Sequence, residues 1–409
     1  MKKKEKNIVV LGGGAAGFFA AAASAEMNQG NKILILEKGN TVLNKVKISG
    51  GGRCNVTNAC LEPGELTKFY PRGGKELLSP FHKFNTKDTK EWFEKRGVKL
   101  KTEPDGRIFP VSDDSQTIVD CLFESVQNKG INVLLQTGVT NIKKSPQQED
   151  WIITTSGKEF QADAVIICSG SSNSVWKIIE SLGHTIELPV PSLFTFNIND
   201  QRIDGIPGVS VNDAEIKIEE TKLISSGPLL ITHWGMSGPA ILKLSAWGAR
   251  ELHKMDYKFK LVINWLPGMN QESVKEKLNQ LKKDNLTRNV YSFSPFGLPI
   301  RLWERLFEYT GINKNLKWNN LSRSFINKLA IVLTQSNFSV NGKSTFKEEF
   351  VTCGGVSRSE IDFKTMESKL HKRLFFAGEV IDIDAVTGGF NFQAAWTTGY
   401  IAGIAASSV

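Results

Sequence analysis

The sequence has few of the residues that build metal sites and redox dithiols. Its 409 residues include only five cysteines and five histidines. The cysteines stand at positions 54, 60, 121, 168 and 353, and no C-x-x-C pair occurs. Scattered cysteines of this kind indicate neither a zinc ribbon nor a dithiol redox centre. We therefore expect reduced thiols, as is usual in a cytosolic protein, and no bound metal.

Long apolar runs are also missing. No stretch reaches the roughly 20 residues that a membrane-spanning helix needs. The start, Met1 to Lys6, is charged, but a short strand-like segment and glycines follow it in place of the apolar region of a signal peptide. We expect a cytoplasmic protein with no membrane partner.

A single basic tract is absent as well, although the formal net charge is +9. Positive charge can attract an anionic cofactor or substrate, or RNA. The lysines are spread along the chain and are not interleaved with aromatic residues, which is typical of a solvated surface. We therefore do not expect nucleic acid as a partner, and the sequence leaves the oligomeric state open.

The most informative stretch begins with the apolar run Ile8 to Leu11, which predicts a buried strand. Gly12, Gly14 and Gly17 follow as G-x-G-x-x-G, and an Ala-rich segment with high helix propensity comes next. In such a motif the first glycine permits the tight turn. The second lets a pyrophosphate approach the backbone, and the third lets the helix pack on the strand. The helix N-terminus presents free N–H groups to the anion.

The second strand of this unit, Lys32 to Leu36, ends at Glu37. An acidic residue at this position places a carboxylate where a ribose hydroxyl binds. It favours an unphosphorylated ribose, as in FAD or NAD. Strand, glycines, helix, second strand and acid in this order predict a dinucleotide site.

A second glycine-rich stretch runs from Asn44 to Asn58 and contains Gly50, Gly51 and Gly52 in sequence. We interpret it as a loop whose backbone N–H groups can crowd a phosphate or a flat ring. Arg53 could hold a phosphate bidentately.

The next segments continue an α/β order. Thr86 to Arg96 predicts a helix with Thr86 as its N-cap, and Ser112 opens another. The run from Ala164 to Cys168 predicts a buried strand that ends at Ser169 and Gly170. In an open doubly wound sheet, such a carboxyl end lies at the cofactor crevice.

The middle of the chain has a different pattern. Residues 193–264 alternate apolar and polar, which predicts antiparallel sheet or barrel, and residues 271–335 show helical periodicity. Glycine-rich segments return after residue 350. We therefore predict an FAD-binding domain over 1–189 and 353–409. A β-barrel-like insert is predicted over 190–266 and 336–352, and a helical subdomain over 267–335.

These segments together resemble a bacterial NAD(P)/FAD-dependent oxidoreductase family. Its members are described as aminoacetone-oxidase-like or as reductases of unsaturated keto bile acids. The blocks S-G-G-G-R-C-N and A-G-E-V-I-D carry most of the specificity. The matching stretches are residues 12–17, 37–38, 48–58, 106–110, 232–240, 352–356 and 376–393. The resemblance implies a discontinuous Rossmann-like FAD-binding domain of α/β class, with an inserted β-barrel and a small helical subdomain.

The resemblance also implies which residues border FAD. The pyrophosphate and adenosine contacts are Gly12, Gly14, Ala15, Ala16, Glu37, Lys38 and Val139. The residues that it places beside the dinucleotide or flavin are Lys45, Arg53, Cys54, Asn55, Gly378 and Asp382. The glycine-rich loops and the end of the 164–168 strand, interpreted from the residues themselves, add Gly52, Ser169, Gly170 and Gly389. Asn391, Phe392 and Gln393 are expected to point N–H groups at the pyrimidine edge of the flavin.

We expect an FAD-dependent oxidoreductase that exchanges a hydride between flavin N5 and a small organic substrate. NAD(P)H or oxygen is the expected electron partner. No second G-x-G-x-x-G follows a strand, so NAD(P)H is expected to bind only transiently. No catalytic residue is assigned, and Arg53, Cys54 and His233 are candidates. The alternatives are an RNA-modifying flavoprotein and a non-catalytic, flavin-binding redox sensor.

Overall fold

The structure is a computed structural model that describes residues 5–145, 150–344 and 351–408. Chain contacts divide it into two units, residues 1–190 with 347–409 and residues 191–346. The domain boundaries at 189/190, 266/267, 335/336 and 352/353 stay a prediction. In the described ranges, no helix is long and apolar enough to span a membrane.

The strands within the described residues are numbered in chain order. They are β1 Asn7–Leu11, β2 Lys32–Leu36, β3 Thr57–Asn58, β4 Leu100–Thr102, β5 Arg107–Pro110, β6 Asn132–Leu134, β7 Val139–Lys144, β8 Trp151–Thr155, β9 Glu159–Ala162, β10 Ala164–Ile167, β11 Ile186–Ser192, β12 Thr195–Asn197, β13 Ser210–Ile218, β14 Ile224–Thr232, β15 Gly235–Ser237, β16 Lys258–Asn264, β17 Ser336–Asn341, β18 Lys343–Ser344, β19 Val351–Val356, β20 Ile361–Asp362, β21 Glu367–Ser368 and β22 Leu374–Phe376.

The α-helices of the same residues are numbered likewise. They are α1 Ala15–Met27, α2 Asn44–Gly52, α3 Pro63–Leu66, α4 Gly74–Lys83, α5 Thr86–Glu94, α6 Gln116–Gln127, α7 Asn173–Ser181, α8 Pro239–Trp247, α9 Ala249–Lys254, α10 Gln271–Asp284, α11 Ile300–Tyr309, α12 Arg323–Thr334 and α13 Phe390–Ser408.

The first unit is built on the sheet that the apolar runs predict. In its described part, seven strands pair in the order β20-β21-β22-β10-β1-β2-β6. The strands from β22 to β6 are parallel, with Leu11 opposite both Ile167 and Leu36. Strands β1 and β10 are buried on both faces, which explains why their sequences are continuously apolar. The predicted Rossmann-like fold is confirmed.

The first and last helices of this unit pack with their backbones in close approach. A Cβ added to Gly399 of α13 would lie 2.6 Å from the carbonyl oxygen of Ala16 in α1, and one added to Gly403 would overlap that of Ala20. One turn further, the hydroxyls of Ser24 and Ser407 lie 2.7 Å apart. Small residues at every fourth position thus bring the two ends of the chain together.

Three local expectations need correction. The stretch from Asn44 is helical for its first turn, and Ser49 and the glycine triplet after it leave the helical conformation. The N-cap of α5 is Asn85, whose side chain accepts an N–H while Asp88 closes a capping box. Thr86 points elsewhere and donates to the carbonyl of Cys60 at 2.7 Å. The helix expected from Ser112 begins at Gln116.

The second unit has an antiparallel sheet, as the alternation predicts. Its described strands pair in the order β17-β16-β13-β14-β15-β12-β18. Helices α8 to α12 belong to the same unit, and their apolar stripes meet the inner face of the sheet. Ile216 and Leu261 of the sheet share one core with Leu278, Trp303 and Leu329 of the helices. The helices of residues 267–335 therefore do not have a core separate from that of the sheet.

Candidate functional site

The carboxyl ends of the parallel strands bring three glycine-containing turns to one edge of the sheet. Cys168 N–H donates to the carbonyl of Leu11 at 2.8 Å, and Ala377 N–H donates to that of Ile167 at 3.0 Å. The turns after β1, β10 and β22 therefore lie side by side. Ser169, Gly170 and Gly378 of the predicted set thus neighbour the first glycine motif, at the edge where open α/β sheets bind ligands.

In the first motif, two glycines have no room for a side chain and one glycine has open space beside it. A Cβ on Gly12, whose φ is +113°, would overlap the carbonyl oxygen of Cys168, and a Cβ on Gly17 would overlap that of Gly12. A Cβ on Gly14 would meet nothing within 4 Å. Gly14 caps α1, no side chain caps this helix, and Ala15 and Ala16 form its first turn. This open cradle at a helix N-terminus fits a pyrophosphate.

The Glu37 carboxylate stands at the carboxyl end of β2 and is held by two backbone groups. Gly13 N–H donates to its Oε2 and Gly39 N–H to its Oε1, both at 2.7 Å. An ionised carboxylate has about four acceptor positions, so capacity for sugar hydroxyls is left. Lys38 is exposed, and a Cβ on Gly138 would lie 3.6 Å from its Cβ, which puts Val139 next to this region.

The glycine triplet adopts a left-handed run. Gly50, Gly51 and Gly52 have φ of +59°, +69° and +82°, and Cβ atoms on the last two would meet nothing within 4 Å. This conformation explains why three glycines occur together. Before the triplet, Lys45 forms an ion pair with Glu379, whose carboxylate would lie 3.7 Å from a Cβ on Gly170.

Two candidates after the triplet are engaged within the protein. The Arg53 guanidinium bonds Glu103 at 2.7 Å and stacks 4.0 Å from the Phe109 ring centroid. The Cys54 thiol is fully buried, and burial raises its pKa to about 12. It is therefore not a thiolate near neutral pH, and only the main chain of Cys54 is suited to contact a cofactor.

Asn55 ties the N-terminal and C-terminal motifs together. With its amide oriented to match its neighbours, Oδ1 accepts from Gly389 N–H at 2.8 Å and Nδ2 donates to the Thr57 carbonyl at 3.0 Å. The Asn58 amide donates to the Gly388 carbonyl at 3.0 Å. The structure thus brings together residues that are more than 300 positions apart in the chain.

The turn after β22 packs directly on the first glycine motif. Gly378 has φ +74°, and a Cβ there would lie 2.8 Å from the Cβ of Ala16. Its N–H donates to Thr398 Oγ1 at 2.9 Å. Asp382, four residues on, is buried with one carboxylate oxygen 3.4 Å from Arg358 Nε.

The three residues predicted at the flavin edge lie at the start of α13 and differ in which of their groups are already hydrogen-bonded within the protein. The Asn391 side chain bonds both backbone groups of Ala385: its Oδ1 accepts from the N–H at 2.9 Å, and its Nδ2 donates to the carbonyl at 3.0 Å. Gln393 is fully buried; its amide oxygen accepts from Thr57 at 2.5 Å and Thr89 at 2.9 Å. Its own N–H groups bond Gly389 and Thr397. Gln393 therefore orients the helix start.

The backbone N–H groups of Phe390, Asn391 and Phe392 meet no acceptor within the described residues. They are the first N–H groups of a 19-residue helix and carry the positive end of its dipole. Three such groups at one point are suited to a carbonyl edge or an anionic ring. Asn391 and Phe392 thus keep the capacity that the sequence assigned to them, through their main chain.

A buried ion pair between Arg72 and Asp384 is a positioning contact that the sequence did not reveal. Both are buried, and the guanidinium and carboxylate form a two-bond ion pair. The pair fixes the loop before α13 to the segment before α4. The partners are separated by 312 positions, so no local spacing could have indicated them. The Thr57 and Thr89 contacts to Gln393 were missed for the same reason.

His233, the third catalytic candidate, lies in the second unit. It lines an open cavity of about 410 Å³ together with Thr195, Leu230, Thr232, Trp234 and Ser237, among others. His233 is exposed, and no hydrogen bond to its side chain is formed in the part of the chain that the structure describes. Among the described residues of this unit, no partner orients its ring for proton transfer. Across the same described ranges, no cluster of His, Cys, Asp and Glu is suited to a metal.

Known proteins are similar to this chain over most of its length. The sequence profile described as "HI0933-like protein Rossmann domain" matches residues 6–405. The 3-dehydro-bile acid delta(4,6)-reductase of Clostridium scindens is 27% identical over 386 residues, covering 92% of this chain and 93% of that protein. The ribosomal RNA dihydrouridine synthase of Escherichia coli is 28% identical over 383 residues, 91% of each chain.

One solved structure extends the comparison of the fold. The 3-ketosteroid-delta4-(5alpha)-dehydrogenase of Rhodococcus jostii, in complex with 4-androstene-3,17-dione, matches with a TM-score of 0.53. The match covers 100% of this chain and 98% of that chain at 13% identity, and at that identity it describes the fold alone.

Proposed function

Because this chain belongs to the HI0933-like family of Rossmann-fold flavoproteins and is an FAD-dependent oxidoreductase, we propose that it adds hydrogen across a carbon–carbon double bond conjugated to a carbonyl group. The supporting observation is that one unit carries three features suited to FAD: the open space at Gly14, the Glu37 carboxylate and the free N–H groups at the start of α13. FAD, when bound, supplies the hydride exchange at ring N5.

The N-terminal residues would hold the adenosine half. The N–H groups of the first turn of α1, from Ala15 on, would bind the pyrophosphate where Gly14 leaves space, because the helix dipole favours an anion there. Glu37 would accept hydrogen bonds from the ribose hydroxyls. Lys38 and Val139 would border the adenine, since the segments that carry them lie side by side.

The C-terminal residues would hold the other half. Gly378 and the buried Asp382 would border the ribityl and phosphate groups, near Ser169 and Gly170. The N–H groups of Asn391 and Phe392 would face the pyrimidine edge of the ring. Negative charge at that edge would be stabilised by the positive end of α13, which favours the reduced cofactor.

The proposed substrate class is supported by chemistry that two relatives share by name. A delta(4,6)-reductase of a 3-dehydro-bile acid and a dihydrouridine synthase both saturate a carbon–carbon double bond conjugated to a carbonyl. The hydride would add to the carbon remote from the carbonyl, and a proton would then add to the carbon beside it. Water or a side chain of the protein would supply that proton.

The experiment is anaerobic reduction followed by substrate addition. The purified protein is expected to be yellow and to bleach with NADH or NADPH. Addition of a 4-en-3-one steroid should then restore the yellow colour and yield the saturated ketone. Failure of both donors to bleach the flavin would support the redox-sensor alternative. Bleaching that only oxygen reverses would contradict reduction of a conjugated double bond.

A second candidate substrate is RNA, which the Escherichia coli relative favours by its name and the net charge of +9 favours by attraction. The two candidates differ in what reoxidises the reduced protein. Ribosomal RNA transcribed without modification should restore the colour if RNA is the substrate, and dihydrouridine should then appear in nucleoside mass spectra. Reoxidation by the steroid alone would exclude this candidate.

A further inference from the structure

Most of the net positive charge of the chain comes from one continuous segment. Residues 267–335 contain eleven Lys and Arg against five Asp and Glu, and so carry +6 of the total +9. Along the sequence these residues are spread over three helices and their connections. In the structure, two parts of the segment are brought together.

Residues 282–289 lie beside residues 314–323. The Lys282 ammonium donates to the Leu321 carbonyl at 2.7 Å, and Trp318 N–H donates to the Arg288 carbonyl at 3.0 Å. The Asn289 amide donates to the Lys314 carbonyl at 2.8 Å. We call these two adjoining segments the basic edge. It holds six cationic residues within 18 positions of chain.

Four of these cations are exposed and have no acidic partner among the described residues: Lys283, Arg288, Lys317 and Arg323. The nearby acids are already engaged. Asp284 accepts from the Gln280 amide at 2.8 Å, and Glu308 is paired with Lys314 at 2.5 Å and Arg305 at 3.2 Å. The bond from a neutral amide leaves the charge of Asp284 in place, so the basic edge carries a net charge of +5 from six cations and one acid, and Glu308 offsets one of these cations, Lys314.

We infer that the basic edge is a docking surface for single-stranded or looped RNA. This inference rests on the RNA candidate under the proposed function and names the surface that would bind it. Unpaired Lys and Arg bind phosphates and release counterions, which is the main source of affinity for nucleic acid. Exposed amides such as Asn319 and Asn320 lie among the cations and can bond phosphate, sugar or base.

An anionic membrane is the competing partner, and the packing disfavours it. A membrane-surface helix needs a free apolar face beside its basic face. The apolar residues of α10, Val274 and Leu278, are fully buried in the core of the second unit, as are Ile326 and Leu329 of α12. Leu286, 54% exposed, is the large apolar side chain that this edge leaves in solvent.

The test compares two triple charge reversals in the full-length, FAD-loaded protein. The test variant carries Lys283→Glu, Lys317→Glu and Arg323→Glu. The matched control carries Lys158→Glu, Lys177→Glu and Lys364→Glu, three exposed lysines of the first unit without acidic partners in the described ranges. Both variants change the net charge equally, and yellow colour and thermal midpoint check that they fold.

Binding of unmodified ribosomal RNA transcript is measured by mobility shift over a series of salt concentrations, without turnover. The wild type should bind more weakly as salt rises. The test variant should lose more than about tenfold in affinity, and its log–log salt slope should fall by about 2, since each single-strand phosphate contact contributes about 0.7. The control should change affinity by less than about threefold.

Three results would overturn the inference: no binding by the wild type at micromolar RNA, equal losses in both variants, or binding to phosphatidylglycerol vesicles in place of RNA. Failure of the proposed function is distinguishable from failure of this inference, because the function is measured by flavin reoxidation and the docking surface by RNA binding. If RNA binding depends on the basic edge but no dihydrouridine forms, the inference of a docking surface stands and the RNA-modifying activity is refuted.

Discussion

At the scale of single residues, the glycines of the first motif are needed for different physical reasons. Gly17 is required by packing, because a Cβ there would overlap the Gly12 carbonyl oxygen. Gly14 is not required by packing, because its surroundings are open and its φ of −93° suits any residue. Its reason for being glycine must lie in what approaches the backbone from outside.

This difference predicts opposite outcomes for the same substitution. Gly14→Val should leave a folded protein that has lost FAD, because the branched side chain occupies the space of the pyrophosphate. Gly17→Val should instead destabilise the fold by about 3 kcal/mol or more, because the helix must move away from the strand. Flavin absorbance after purification and urea unfolding of both apoproteins are the measurements.

The Gly14→Val result has a clear contrary outcome. If the variant keeps its yellow colour, the cofactor does not lie over the start of α1, and the site assignment fails. Gly14→Ala is the graded control: its single methyl enters open space, so it should weaken FAD binding less than valine does.

At the scale of elements, the contact between α1 and α13 aligns Ala16, Ala20 and Ser24 with Gly399, Gly403 and Ser407. The positions recur every four residues, which is the ridge spacing of a helix surface. Because α13 also supplies the N–H groups of Phe390 to Phe392, this packing sets where those groups point. Stability and site geometry therefore depend on the same contact.

We expect Gly403→Leu to cost about 3 kcal/mol or more, because its side chain would be forced into the backbone of α1. Ala405→Leu on the same helix is the matched control, since Ala405 is only half-buried and should change stability by less than about 1 kcal/mol. Urea unfolding of the two apoproteins gives the comparison. Equal midpoints would mean that the helices do not approach so closely.

Another element-scale feature fixes the loop after α7. The buried His184 ring bonds Glu360 through Nδ1 at 2.9 Å and the Ser368 hydroxyl through Nε2 at 3.0 Å. The order Ser, His, Glu is that of a hydrolase triad. The Ser368 oxygen, however, is buried and accepts N–H groups from Leu370 and His371, so its role is structural.

This cluster predicts a loss of stability in mild acid. Burial lowers the pKa of His184. Glu360 acts in the opposite direction and raises this pKa, whereas nearby His371 lowers it further. The unfolded chain therefore takes up a proton before the folded one, and stability falls as pH drops below the ordinary value of 6.5. His184→Gln should flatten this slope in unfolding measurements from pH 7.5 to 5. An unchanged slope would contradict the assignment.

At the scale of the whole molecule, two units with their own cores should respond differently to the cofactor. Every predicted FAD contact belongs to residues 1–190 or 347–409. We expect calorimetry of the apoprotein to show two transitions, and FAD at 100 times its Kd to stabilise one of them by about 2.7 kcal/mol. Gly14→Val should abolish that shift. A shift of both transitions would place cofactor contacts in the second unit as well.

The sequence by itself determined the strands, turn and helix of the sheet edge where we propose that the nucleotide binds, because their signals are local. Residues 8–37 hold strand, glycine turn, helix, second strand and acid in one continuous run, and each has a short-range cause in propensity or periodicity. The alternation of 193–264 and the helical periods of 271–335 are equally local. The resemblance of the chain to a flavoenzyme family rests on such blocks.

Only the tertiary structure decided which distant residues meet. The Arg72–Asp384 pair, the Asn55 bond to Gly389 and the burial of Cys54 and Gln393 depend on packing between the two ends of the chain. The basic edge depends on 282–289 lying against 314–323. Contacts of this kind leave no period in the sequence, because their partners are fixed by the shape of the core and not by their spacing.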